Sequence, residues 1–368
     1  MASALGAVGG DPQRKLEVLE PVDDDAVAKA KKLLDEGRVK INLLPEKHGL
    51  YIRTVIKGEK IRVESVLEDS HDNIVALLKN GKKVKDSPLL AARTDSGGKS
   101  RLQGLEAWLK RLTLAQLYAL IDDLSDDEID FLEKGVQYNL RLAEYGLKHG
   151  CGLGIGKTLD RLVRQKLLRR DMVLAAKILT SSASDARMAG VKMPAMSSAG
   201  SGNHGLTAVL PIWAVQEYLD CDKRTVFEAV GLSHIITAFV KAYTGRLSAL
   251  CGCSIAAGAG AAAGVVYLLG GTLHHISGAI KNLTEDLAGI ICDGAKAGCS
   301  LKLSTAAGSA VQAALFALQG VQVHSTDGII AVLPEKTIEN IGTISTLGMV
   351  ETERTILRIM MDKQLSVD

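Results

Sequence analysis

Aromatic residues are scarce in this chain of 368 residues, 4% by composition, so Phe, Tyr and Trp cannot be what fills its core. Ala, Leu, Val, Ile and Gly must do so, which favours closely approaching helices over an aromatic-rich β-sandwich. An excess of one charge is also missing: 44 Lys+Arg stand against 42 Asp+Glu, a formal +2. The cations are scattered among acids, which argues against a nucleic-acid partner and leaves small-molecule chemistry. The first twelve residues, MASALGAVGGDP, have no positive n-region and end in the turn formers Gly9, Gly10, Asp11 and Pro12. No cleaved signal is expected, and the cytoplasm is the expected compartment. Thiols stay reduced there, so the six Cys read as metal ligands, reactive thiols or buried small hydrophobes rather than disulfides.

From Leu247 to Gly271 there is no charged residue, a run long enough to span a bilayer. It is mostly Ala and Gly, contains Cys251 and Cys253, and has no convincing charge asymmetry in its neighbours Arg246 and Lys281. A buried helix of an α-domain is expected instead, and no membrane partner.

The pattern along the chain predicts an α+β fold. Residues 23–36 read as a helix: Asp23, Asp24 and Asp25 suit its N-terminus, Val27, Ala30 and Leu34 share a face, and Gly37 can close it. Val39–Leu44, Leu50–Ile56 and Ile61–Leu67 are β-rich runs, and Asn80-Gly81 marks a hairpin after Ile74–Leu78. These make a small α+β N-terminal domain over 1–93, followed by a linker over 94–104 that includes the loop TDSGGKS. Residues 105–368 read as a large, almost wholly helical domain, with Leu114, Leu117 and Ile121 on one face and a capping box at Ser125 and Glu128. No fixed-period repeat is present.

Familiar ligand motifs fail. The run CGLGIGKT at 151–158 has Cys151 where a phosphate loop needs Gly and Lys157 where a dinucleotide fingerprint needs its third Gly, so it reads as a glycine-rich connection between helices. A second run, SSAGSGNHG from Ser197 to Gly205, precedes an apolar helix. Its glycines expose backbone N–H groups, and Ser197, Ser198, Ser201 and Asn203 add polar side chains that suit a carboxylate or phosphate. An ordinary N-cap and loop is the competing reading. His204 is a candidate acid–base group. Upstream lie Asp185 and Arg187: either the Arg clamps a carboxylate bidentately or the two form a structural salt bridge.

The cysteines are sharper. Cys251-x-Cys253 and, after further helical residues, Cys292 and Cys299 place four thiols in two glycine-lined turns. Neither half has the C-x2-C knuckle of a structural zinc site, whereas an iron–sulfur cluster tolerates irregular spacing. Buried inert Cys is the alternative, and Cys151 and Cys221 are assigned to it. In EDSHDN, Ser70 and His71 sit at the end of a predicted strand. His48, His149, His234, His274, His275 and His324 have weaker contexts.

SSAGSGNHG, LCGCSIAAGAGAAAGVVYLLGG and ICDGAKAGCSLKLSTAA, together with EDSHDN and IENIGTISTLGMVETERTIL, resemble the L-cysteine desulfidase family, whose catalytic domain is similar to the α-domain of iron–sulfur L-serine dehydratases. The resemblance implies a [4Fe-4S] cluster held by Cys292, Cys299 and one of Cys251 and Cys253, with Cys251 favoured by the dehydratase spacing. It also implies a lyase that eliminates sulfide from cysteine or water from serine, the loop 197–204 gripping the carboxylate with Arg187 and Lys302 as anion partners. His71, in a Ser-His pair like one of the dehydratase small domain, is the first candidate for the base that takes the α-proton, and His204 the second. The family carries a Cys-Thr-Glu-Pro motif in a longer N-terminal region. No such tetrapeptide occurs in this sequence, so relative to the family the chain is expected to lack that segment, and a non-catalytic homologue binding a cluster or an amino acid is the alternative function. No lysine lies in a recognisable pyridoxal phosphate motif. Symmetry base rates favour a homodimer.

Overall fold

The computed structural model describes residues 1–44, 46–47, 49–68, 73–91, 101–245 and 247–365. The chain divides into two packing units, Met1–Ser100 and Arg101–Asp368. His48, Ser70, His71, residues 94–100 of the expected linker and Arg246 lie outside the described residues.

In the first unit, α1 (Ala2–Gly9) packs on α2 (Asp24–Asp35) through the small buried residues Ala4, Ala26 and Ala30, with a 3-10 segment at Pro12–Glu17 between them. The Asp23 carboxylate accepts from the Ala26 N–H at 2.8 Å and opens α2. β1 (Tyr51–Lys57), β2 (Arg62–Glu68), β3 (Ile74–Lys79) and β4 (Lys82–Lys83) then form an antiparallel meander in sequence order. Asn80 and Gly81, at φ 50 and 78, make the two-residue turn that pairs Lys79 with Lys82. Val39–Leu44 does not form the expected strand. Its residues are almost all exposed and pair with no other segment among the described residues, so the β-branched and apolar side chains there bury too little surface to order a strand.

Among its described residues the second unit has helices, their connections and two isolated β-bridges, and no strand. In chain order come α3 (Arg101–Leu109), α4 (Leu114–Ala119), α5 (Asp126–His149), α6 (Ile155–Arg164), α7 (Met172–Met188), α8 (Gly202–Gln216), α9 (Lys223–Thr244), α10 (Gly258–Leu268), α11 (Leu273–Leu287), α12 (Cys299–Leu318), α13 (Pro334–Thr343) and α14 (Val350–Leu365). π-helical turns at Cys253–Ala257 and Ile344–Gly348 lead into α10 and follow α13. α3 takes up residues 101–104, which the sequence reading placed in the linker. Ser125 and Glu128 form the expected capping box of α5.

Small residues set the helix spacing. A Cβ on Gly146 of α5 would run into the carbonyl of Ser182 on α7, and one on Gly260 of α10 into the Ser233 carbonyl on α9. Backbones that close leave room for Ala and Val but for few rings, which is how a core poor in aromatics still packs. The uncharged stretch from Leu247 contributes the first π turn and α10, fully embedded among α8, α9, α11 and α12. Two longer helices, α9 and α12, are long and apolar enough to cross a membrane by length and composition, but 72% and 56% of their apolar windows are buried inside this unit.

Candidate active site

One short antiparallel bridge assembles the cysteines. Leu250 pairs with Ile291: the Cys251 N–H donates to the Ile290 carbonyl at 2.9 Å and the Cys292 N–H to the Ala249 carbonyl at 2.6 Å. The bridge lays the segment before α10 beside the segment before α12. Cys253 opens the π turn and Cys299 is the first residue of α12, so both sit at the N-terminal end of a helical segment. All six cysteines are free.

Charge separates the thiols. The Cys253 thiol donates to the Cys251 sulfur, and this outweighs burial to hold Cys251 at about 5. That same hydrogen bond, with burial and the neighbouring thiols Cys251, Cys299 and Cys292, drives Cys253 well upward. Burial raises Cys292 as well. Lys302 on α12 lies close enough to favour anionic Cys251 and Cys292, and Arg187 on α7 lies within electrostatic reach of Cys253 and Cys299. Lys302 is itself committed: its ammonium donates to Asp293 Oδ1 and to the Ile291 carbonyl, both at 2.7 Å, which ties the 291–299 loop to α12.

The Ser/Gly loop approaches from the other side. Ser198 and Ser201 exchange backbone hydrogen bonds at 3.1 Å around Ala199 and Gly200, and α8 begins at Gly202. Gly205 is obligatory, since a Cβ there would collide with the Met196 carbonyl. Arg187 packs against Gly202, where an added Cβ would lie 2.5 Å from its Nε, and its Nη1 donates to Asn203 Oδ1 at 3.0 Å. Asn203 and His204 are buried, Ser198 is buried, Ser201 partly so, and Ser197 is exposed.

Asp185 and Arg187 do not form the pair that the sequence left open. Two residues apart on a helix, they face different ways. Asp185 accepts from the Gly156 N–H at 3.1 Å, capping α6, and burial raises its pKa. In the run 151–158, Cys151–Gly154 belong to the connection from α5 to α6, and Ile155–Thr158 form the first turn of α6. Cys151, assigned to the inert class, borders the apolar cluster that contains Cys251, Cys253 and Leu303, while Cys221 lies against the main core.

Three further residues take part: His234, whose sequence context is weaker, and Asn139 and Lys241, which the sequence does not single out. His234 Nδ1 lies 2.9 Å from Ser198 Oγ, and burial lowers its pKa to about 4. Asn139 of α5 accepts from the Met196 N–H at 2.9 Å and donates to the Gly205 carbonyl at 3.3 Å, clasping both ends of the loop. Lys241 is buried on α9 beside His204. Of the two that were missed, Lys241 left a trace in the sequence, as the one charged residue between Glu228 and Thr244.

Fold and site define a helical domain that gathers thiols at helix N-termini, with a glycine-rich loop and buried cations around them. Residues 13–358 match the serine dehydratase alpha chain family, and the chain belongs to that family. It is 59% identical over 368 residues to a UPF0597 protein of Desulfatibacillum aliphaticivorans, an alignment covering 100% of this chain and 84% of the relative. A UPF0597 protein of Desulfotalea psychrophila is 59% identical over 362 residues, with 98% and 83% covered, and one of Clostridioides difficile is 41% identical over 363 residues, with 98% and 84% covered.

The donor set suits the cluster that the resemblance implies. It is all thiol, one member is already disposed to be a thiolate, and two cations stand where thiolate charge would accumulate. Among the described residues no three His, Cys, Asp or Glu side chains converge as they would on one metal ion. A four-iron cluster asks for something looser, because each iron takes its own sulfur.

Proposed function

We propose that this chain is a lyase that eliminates the β-substituent of a small L-amino acid, water from L-serine or hydrogen sulfide from L-cysteine. Loss of the α-proton and the β-group leaves 2-aminoacrylate, whose imine tautomer hydrolyses to pyruvate and ammonia. The observation that carries the reading is the convergence of Cys251, Cys253, Cys292 and Cys299 beside Arg187 and the 197–204 loop, in a chain of the serine dehydratase alpha family. Cys292, Cys299 and Cys251 would hold a [4Fe-4S] cluster, which supplies a Lewis-acidic iron for the carboxylate and the leaving group.

The chain's own residues do the rest. Arg187 steadies Asn203 and the start of α8, so that the loop's N–H groups stay aimed at an anion. His204 is a poor base for a carbon acid, since burial and then Lys241 lower its pKa to about 3. It is better suited to hold a hydrogen bond in its neutral form. His71 remains the assigned base by resemblance. Six free thiols suit a reducing compartment such as the cytoplasm.

Anaerobic reconstitution with iron and sulfide tests the proposal. Wild type is expected to turn brown and to release pyruvate from L-serine or L-cysteine, and Cys292→Ser and Cys299→Ser each to lose both properties. A cluster-loaded protein that releases pyruvate from neither amino acid overturns the reading.

A further inference from the structure

The tip of the Ser/Gly loop is held against its own preference. Ser198 and Ser201 exchange backbone hydrogen bonds at 3.1 Å, so the two residues between them must turn the chain back on itself. Both do so with positive φ, 44 at Ala199 and 81 at Gly200. A two-residue turn of that kind takes Asn or Gly readily, whereas an alanine Cβ crowds the carbonyl that follows it. Of the four non-glycine residues with positive φ among the described residues, Ala199 is the one at the candidate site. Strain of this sort persists only where the surroundings impose it.

Here the restraint comes from α9. His234 Nδ1 lies 2.9 Å from Ser198 Oγ, and Ser198, which opens the turn, is buried. The helix behind the imidazole is fixed: Ser233 Oγ donates to the Ala208 carbonyl on α8 and Thr237 Oγ1 to the Ser233 carbonyl, both at 2.7 Å. Burial keeps the ring neutral, so the contact adds no charge to the site. Asn139 holds the ends of the loop and leaves its tip alone. At that tip Ala199 and Gly200 are exposed, and their N–H groups donate to no protein acceptor among the described residues. Successive free amides in a turn are donors for an anion, and Arg187 packs on Gly202 two residues further on.

We infer that His234 is a positioning residue for substrate binding: by holding the Ser198 hydroxyl it keeps Ala199 and Gly200 in the left-handed turn whose amides receive the substrate's carboxylate. The ligand of the turn rests on the lyase reading above; the restraint on the turn does not.

Amide hydrogen exchange of the full chain, with no ligand added, tests the restraint. In His234→Leu the Ser198 and Ser201 amides are expected to exchange about tenfold faster, the effect of one lost hydrogen bond, and in His234→Asn, whose amide can reach Ser198 from the same position, to stay close to wild type. Adding Ala199→Gly to His234→Leu is expected to slow exchange again, because glycine holds the turn without help. Wild-type exchange in His234→Leu overturns the inference. Steady-state kinetics of the reconstituted protein test the consequence for binding. His234→Leu is expected to raise KM about tenfold for the amino acid that wild type turns over, L-serine or L-cysteine, with kcat changed much less, and Ala199→Gly to recover part of the loss. A fall in kcat with KM unchanged overturns the inference as well. If exchange responds as expected while wild type releases pyruvate from neither amino acid, the lyase reading fails and the restraint stands. Should His234→Leu lose its helical circular dichroism, Ser198→Ala, which removes the same hydrogen bond from the side of the turn, decides both measurements, and wild-type exchange and KM in that variant overturn the inference.

Discussion

Asn139 shows how much one side chain holds at this site. Fully buried, it spends its amide on Met196 and on Gly205, the two ends of the loop that α8 grows from. Asn139→Ala strands a buried donor and a buried acceptor, and is expected to lower unfolding stability by about 1–3 kcal/mol, read as a drop in the urea midpoint. An unchanged midpoint would mean that water replaces the amide. His234 and His204 add a pH dependence. Burial depresses both, from 6.5 to about 4 and about 3, so the folded state holds them neutral while the unfolded chain binds protons. Their contribution is fully present above about pH 6.5 and is lost as pH falls through the window down to those values. His234→Gln is therefore expected to show a smaller drop in urea midpoint between pH 7 and pH 5 than wild type; an equal drop in both proteins would assign the acid sensitivity elsewhere.

Elements meet here through small residues and short bridges. Gly146 on α5 lies against the Ser182 carbonyl on α7, and Gly156 on α6 against the Ser182 side chain, so three helices share one crossing. Gly146→Ala must push α5 and α7 apart, and is expected to cost about 1–3 kcal/mol by thermal denaturation, although Ala is the better helix former. A gain in stability would show that the crossing is not rigid. The elements that the sequence foretold well are those with local signals: the Asp23 cap of α2, the Asn80-Gly81 turn, and the Ser125 and Glu128 box of α5. Val39–Leu44 had composition without a partner, and strand propensity amounts to little when no neighbouring strand supplies hydrogen bonds. The Leu250 to Ile291 bridge had no sequence signal at all. It is a single pair between distant segments, and nothing in the local period announces it.

At the scale of the molecule, a chain with 4% aromatic residues builds a helical core from Ala, Val, Leu and Gly and leaves its chemistry at helix ends. Composition and periodicity by themselves determined the helical character, the small antiparallel sheet and the turns, because caps, hairpin glycines and apolar spacing act over a few residues. Motif content likewise marked four thiols and a Ser/Gly loop as the places to look. Only the tertiary structure decided which groups meet: that Asp185 caps α6 while Arg187 turns to Asn203, that Lys302 belongs to Asp293, and that Lys241 and His204 close on Gly252. The physical reason is range. Hydrogen bonds within a helix or turn are fixed by neighbours in sequence, whereas the burial that tunes a thiol depends on helices brought together from far along the chain.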